Sequence, residues 1–156
     1  MTYRTEFPDF DDDVHPAKAA ALGFTDDTSW HNDTCPSFTC DVFVLFIDYA
    51  DLSKREHIEA ARFSIQDQGE SVLETDDWDD VRAYVEDGRR DFPPYAPTIE
   101  RLTAEYEVFL KREGLDGFQG DAMEILIAGD LSQYQRVWIS DFVQRWDAAE
   151  ARSQRA

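Results

Sequence analysis

An unbroken run of six apolar residues, Val42 to Ile47, sets the strongest limit on the fold. It is rich in β-branched and aromatic side chains and shows no alternation, so it predicts a central strand buried on both faces. Arg62–Gln66 does alternate, as a half-buried strand should. Asp67–Glu70 then predicts a turn and Ser71–Glu74 the return strand of a hairpin.

After Thr75 the apolar residues recur with a helical period. The first helix is expected to start with Asp76 and Asp79 at capping-box spacing, and to end at Gly88. Three further segments have helical features: 97–113, 121–128 and a last helix through Tyr134, Trp138, Phe142 and Trp146. Met123–Ile127, inside the third helical segment, is also compatible with a strand. The side chains expected to be mostly buried are Trp78, Ile99, Leu102, Tyr106, Phe109, Trp138 and Phe142.

Strands followed by helices predict an α+β fold. We expect a small, mainly antiparallel sheet from the N-terminal half, packed against three or four helices from the C-terminal half. The length of 156 residues suits a single domain, 1–156. Within it, 1–41 is expected to be an irregular acidic arm packed on the body through its aromatic residues, with one short helix from Pro16 to Leu22. Residues 42–75 are expected to form strands, and 76–152 helices.

The charge of the chain is strongly negative, with 34 acidic residues against 15 basic ones and a net charge of −19. A small domain needs a net charge of only about 2–8 to stay soluble, so solubility alone does not explain this excess. Nucleic acids and anionic membranes carry the same sign, so we expect neither to bind directly. A basic protein is the expected partner.

The N-terminal sequence, Met1–Glu6, has no apolar signal-peptide core, and Val42–Ile47 is too short to cross a bilayer. The chain contains two cysteines, Cys35 and Cys40, too few for a disulfide-rich secreted scaffold. We therefore expect a cytoplasmic protein.

His31, Cys35 and Cys40 form the one cluster with metal-ligand character, and they are weak candidates for a metal or thiol site. Structural zinc sites use four ligands and usually closely spaced cysteine pairs, which this cluster lacks. Pro36 also restricts Cys35 to extended geometry. We expect both cysteines to be reduced and to bind no metal, and we expect no cofactor.

Other catalytic and metal-binding patterns fail or are missing. Asp9, Asp11 and Asp13 resemble the start of a calcium loop, but Val14 and Ala20 stand where that loop needs Gly and Glu. The sequence has no nucleophile elbow, phosphate-binding glycine loop or metalloprotease motif. Enzyme activity is therefore not indicated.

The densest acidic segment is 74–80, with five carboxylates in seven residues, and it lies within a longer stretch, 67–91, that holds ten acids and three arginines. Its simplest interpretation is that acids at a helix start complement the helix dipole. That role needs only two carboxylates, and side chains three or four apart on a helix lie about 5–6 Å from each other. A folded array can therefore approach the charge spacing of a nucleic-acid backbone. The candidate partner-binding residues are Glu74, Asp76, Asp77, Asp79, Asp80, Glu86 and Asp87.

In size and acidity the chain is similar to phage and plasmid proteins that imitate the charge of DNA. The similarity is compositional, covers no motif and transfers no residues. It favours a non-enzymatic acidic protein that docks on a basic, nucleic-acid-binding surface of another protein and blocks it. The alternatives are a salt-adapted protein of unrelated function, favoured by 22 Asp and only 3 Lys, and a metal- or thiol-dependent enzyme around His31, Cys35 and Cys40.

Overall fold

The computed structural model describes residues 2–27, 33–41, 43–87, 91–117 and 120–155. The chain divides into two compact units, Met1–Tyr95 and Ala96–Ala156, and each is described by itself below. The expectation of a single domain over 1–156 stays a prediction.

The first unit is built on a five-stranded antiparallel sheet in the order β1-β2-β3-β4-β5. The strands are β1 (Thr25–Asp26), β2 (Ser37–Cys40), β3 (Phe43–Ile47), β4 (Phe63–Asp67) and β5 (Glu70–Thr75). Strands therefore occupy the N-terminal half and helices fill the C-terminal half, which confirms the α+β prediction. The strand predicted at 42–47 lies at the centre of the sheet; Val42 is outside the described residues.

Burial of β3 differs from the prediction of two equally buried faces. Leu45 and Ile47 are completely buried, whereas Val44 and Phe46 on the opposite face are only half-buried. The buried face continues across the sheet, where Leu45 lies opposite Ile65 of β4. The core cluster contains Leu45, Ile47 and Ile65 from this face but neither Val44 nor Phe46, and the helices at 14–21 and 78–86 add buried side chains to it.

The hairpin between β4 and β5 was predicted correctly. Asp67 pairs with Glu70, so only Gln68 and Gly69 form the loop. Both have positive φ angles, 51° and 87°, as a two-residue type I′ turn requires. This turn matches the right-handed twist of the strands, which explains why the chain reverses there.

The first 41 residues are more regular than the irregular arm that the sequence predicted. They contain α1 (Tyr3–Glu6) and α2 (Val14–Ala21), besides β1 and β2. Little in the sequence indicates β1 and β2, because they are short and gain their backbone partners only when β2 pairs with β3 and β1 with β2. Four aromatic residues of this segment lie in the core of the first unit: Phe7, Phe10, Phe24 and Phe38. Trp30, a further aromatic residue of the segment, lies outside the described residues.

The second unit consists of helices. They are α4 (Ile99–Arg112), α5 (Ala122–Ala128) and α6 (Gln133–Ser153), and α6 contacts both of the others. Aromatic rings stack between α4 and α6: the centroids of Phe109 and Trp138 are 3.7 Å apart, and those of Tyr106 and Phe142 are 4.6 Å apart. The alternative of a strand at 123–127 is wrong, because a complete capping box with Asp121 and Glu124 starts a helix there.

Most of the predicted core is buried. The buried side chains are Trp78, Leu102, Phe109, Trp138 and Phe142. Ile99 and Tyr106 are only half-buried, because Ile99 occupies the first turn of α4 and Tyr106 lines a cavity described below. Among the described helices, none has the length and apolar character needed to span a membrane.

Candidate functional site

The candidate surface lies where β5 passes into α3 (Trp78–Glu86). The helix is capped by Asp77, whose side chain accepts a hydrogen bond from the Asp79 N–H over 2.8 Å. The sequence predicted Asp76 in this role, and that prediction is wrong by one residue. Asp77 has the extended backbone of a cap residue, which turns its carboxylate toward the free N–H groups of the first turn.

Asp76 instead holds two neighbouring segments in place. It accepts hydrogen bonds from the Arg62 backbone N–H at 2.8 Å and from the Tyr95 hydroxyl at 2.5 Å. The guanidinium of Arg55 is 4.0 Å from the same carboxylate. The Asp76 side chain is only 33% exposed, so it is partly shielded from solvent.

Asp80 is also tied to the junction. Its carboxylate accepts a hydrogen bond of 2.7 Å from the hydroxyl of Thr75, a residue that is itself buried. The same hydroxyl accepts from the Asp77 N–H at 3.0 Å. Thr75 thus links the end of β5 to the first turn of α3, and Asp80 is half-buried as a result.

Glu74, Asp79, Glu86 and Asp87 are exposed, as Asp77 is. Glu74 accepts a hydrogen bond from the Ser71 hydroxyl at 2.9 Å. Asp79 is 72% exposed and forms a 3.1 Å ion pair with Arg82 one helical turn away. Each of these contacts uses only part of the carboxylate's hydrogen-bonding capacity, because a carboxylate can accept about four hydrogen bonds.

Glu86 and Asp87 lie at the opposite end of α3. No basic residue stands in the last turn of the helix. Acids at a helix C-terminus are unfavourable, because the carbonyl end of the helix dipole is also negative. Helix capping therefore explains Asp77 but gives no reason for Glu86 and Asp87. Arg89 and Arg90, which follow in the sequence, lie outside the described residues.

The structure thus brings the predicted residues together as two groups on one helix rather than as one patch. Glu74, Asp76, Asp77, Asp79 and Asp80 surround its start, and Glu86 and Asp87 mark its end. With a rise of about 1.5 Å per residue, Asp77 and Asp87 are roughly 15 Å apart along the helix axis.

A buried charged cluster in the first unit was not predicted. Asp12 is only 6% exposed, and its Oδ2 accepts hydrogen bonds from His15 Nδ1 at 2.5 Å and from Arg62 Nη2 at 2.7 Å. The His15 ring packs against Phe63 and Trp78, with centroids 5.0 and 5.2 Å away. In the sequence, Asp12 looks like one member of an exposed acidic run.

The pKa of Asp12 is lower than usual for a carboxyl group. Burial by itself raises this pKa, but hydrogen bonds from the backbone and ring of His15 and from the Val14 N–H outweigh the burial and lower it. The carboxylate is therefore stabilised in its charged form and acts as a fixed acceptor inside the fold.

The acidic run that imitates a calcium loop has a structural role. Asp11 accepts hydrogen bonds from the Ala50 and Asp51 N–H groups at 3.1 Å each, and Asp13 pairs with Arg4. The carboxylates of Asp11 and Asp13 therefore hold separate segments rather than converge on one point. Across the described residues, no group of three or more His, Cys, Asp or Glu side chains is placed to hold a metal ion.

The two cysteines are free thiols, with Cys35 buried and Cys40 half-buried. The pKa of Cys35 is raised well above its ordinary range by burial and by the nearby carboxylates of Asp48 and Asp33. Nucleophilic attack and metal binding both need the thiolate, which these surroundings disfavour. His31, the third member of the cluster, lies outside the described residues.

The fold and the charge define this protein as a small α+β protein with a strongly acidic first unit. Compared with families of known proteins, with curated proteins and with solved structures, the chain matches none of them.

Proposed function

We propose that this chain is a non-enzymatic acidic binding protein that docks, through the two ends of α3, on a basic, nucleic-acid-binding surface of another protein and blocks it. The carboxylates would take the place of phosphates and capture the arginine and lysine side chains that normally contact them. The partner is a basic protein, and neither nucleic acid nor a membrane binds directly.

The observation that carries this proposal is the uneven charge of the two units. Residues 1–95 contain 23 acidic and 8 basic residues, a net charge of −15, whereas residues 96–156 contain 11 and 7, a net charge of −4. General adaptation to salt would spread acids over the whole surface. The concentration of acidic residues in the unit that contains α3 favours a localised docking surface instead.

The hydrogen bonds at the start of α3 support the proposal in a second way. Asp76, Asp77 and Asp80 are held by backbone and hydroxyl donors, so their positions are defined before any partner arrives. A pre-organised surface binds with a smaller loss of side-chain entropy than a mobile one.

The test uses a double charge reversal chosen to disturb folding little. Asp79→Lys weakens the helix start, whereas Glu86→Lys improves the helix end, so their effects on stability oppose each other. The matched control is Glu107→Lys with Asp130→Lys, which changes the net charge equally at exposed positions of the second unit.

Proteins are captured from the source cell on the immobilised chain at low and high salt, and the association rate of each captured basic protein is then measured. We expect the reversal at α3 to slow association on the order of tenfold at physiological salt, and the control to slow it much less, because charges act mainly on encounter. Duplex DNA should compete with the chain for the captured protein.

Two results would contradict the proposal. Equal association rates for the two double variants would place the binding surface elsewhere. Simultaneous binding of DNA and this chain to the captured protein would show that docking does not block the nucleic-acid surface.

A further inference from the structure

A cavity of about 340 Å³ opens among α4, α5 and α6 of the second unit. Its volume is at the lower end of the range of about 300–1,000 Å³ that is typical of small-molecule sites. All the residues that line it belong to residues 96–156, so it is separate from the acidic surface of the first unit.

Three aromatic side chains form part of the cavity wall. Phe142 stacks on Tyr106 at 4.6 Å with an angle of 14° between the rings, and Trp146 lies 5.7 Å from Phe142. Met123 adds a flexible apolar side chain from α5. This part of the lining is apolar and suits the apolar body of a ligand.

The charged residues that line the cavity are both acidic. They are Asp121, at the start of α5, and Asp147 on α6; the described lining includes no Lys or Arg. Both residues are exposed, so their charges are accessible to a ligand from solvent.

We propose that this cavity binds a small organic cation, a primary amine attached to an aromatic body. The aromatic body fills the space against Tyr106, Phe142 and Trp146. The ammonium group lies toward Asp121 and Asp147, within the field of two carboxylates.

Three probes of one shape separate charge from apolar packing: 2-phenylethylamine, 2-phenylethanol and 3-phenylpropionate. They present a cation, a neutral hydroxyl and an anion on the same phenyl body. Titration calorimetry at physiological salt should show the amine binding at least about tenfold more tightly than the alcohol, because an ion pair near a protein surface exceeds a neutral contact. The carboxylate should not bind.

Asp147→Asn should bring the affinities of amine and alcohol within about threefold of each other, since it removes one of the two charges. The control is Asp130→Asn, which removes the same charge at an exposed residue outside the cavity. It should leave the preference for the amine unchanged. Ethylamine, which has the charge without the apolar body, should bind much more weakly than 2-phenylethylamine.

The inference is overturned by any of three results: equal affinity for all three phenyl probes, no binding of the amine at millimolar concentration, or equal loss of affinity in Asp147→Asn and Asp130→Asn. None of these results depends on the function proposed for the acidic surface of the first unit.

Discussion

Arg145 of α6 donates a hydrogen bond from Nη2 to Oε1 of Glu105 on α4 over 2.6 Å, and the Glu105 side chain is completely buried. Burial by itself lowers the pKa of Arg145, but the bond to Glu105 and the charge of Asp141 outweigh it and raise that pKa. Arg145 is therefore held in its charged form, and its ion pair with Glu105 joins the two longest helices of the second unit.

We predict that Arg145→Met lowers the free energy of unfolding by about 3 kcal/mol, because it leaves the Glu105 carboxylate buried without its main partner. Arg101, 3.9 Å from the same carboxylate, keeps the loss at the lower end of the usual range. Urea unfolding gives the value. Asp141→Asn removes only an exposed partner of Arg145 and should cost less than about 1 kcal/mol. Equal losses in the two variants would contradict a dominant role for the buried pair.

The lowered pKa of Asp12 predicts an acid-dependent contribution to stability. A carboxyl group with a lower pKa in the folded state stabilises the fold above its unfolded pKa, near 4, and this contribution is lost as pH falls through the folded value. Wild type should therefore exceed Asp12→Asn in free energy of unfolding at pH 7, and the difference should narrow below about pH 4. Asp13→Asn, at an exposed position, should show no comparable narrowing. A difference that stays constant from pH 7 to pH 2.5 would be inconsistent with this assignment.

The type I′ turn predicts opposite effects at its two positions. Gln68→Asn should stabilise the protein by roughly 0.5 kcal/mol, because Asn adopts a positive φ more readily than Gln. Gly69→Ala should destabilise it by about 1 kcal/mol, and purely through backbone conformation, since no atom lies within 4 Å of an added Cβ. Thermal unfolding of both variants measures the two signs, and a neutral Gly69→Ala would show that the turn is not of this type.

The start of α3 predicts a separation between capping and exposed charge. Asp77→Ala should lower stability by about 1 kcal/mol, since it removes the cap bond to the Asp79 N–H. Asp79→Ala should cost less than about 0.5 kcal/mol, because its pair with Arg82 is exposed. Chemical denaturation compares the two. The reverse ranking would mean that Asp79 is the structural residue.

The cysteines predict a difference in reactivity. In a Cys40→Ser variant, Cys35 should react with a thiol reagent at pH 8 only as fast as the protein unfolds, because the thiol is buried and its pKa is raised. In a Cys35→Ser variant, the half-buried Cys40 should react faster. Rapid labelling of native Cys35 would contradict its burial and would favour the alternative of a thiol-dependent enzyme around this residue.

Several elements were predictable because their causes lie within a few residues. Asp121 and Glu124 cap α5 from three residues apart, and Gln68 and Gly69 close a hairpin whose strands adjoin them. In such cases the hydrogen-bond donors, acceptors and backbone preferences are all local. The sequence pattern then specifies both the element and its end.

The cap of α3 shows where local reasoning fails by a small margin. Asp76 and Asp77 both suit a cap by residue type, and the sequence favoured Asp76 from its spacing to Asp79. The tertiary structure assigns the role to Asp77, because Asp76 is drawn to the Arg62 N–H and the Tyr95 hydroxyl. Those donors are 14 and 19 residues away in the chain.

What the sequence alone determined is the order of strands and helices from residue 43 onward, the hairpin, the ends of α4 and α5 to within two residues, and the net charge. Only the tertiary structure decided which charges are buried. Asp12 meets Arg62 across 50 residues and Glu105 meets Arg145 across 40. A carboxylate that will be buried has the same local sequence signature as one that stays in water, because the partner that compensates its lost hydration arrives only when distant segments fold together.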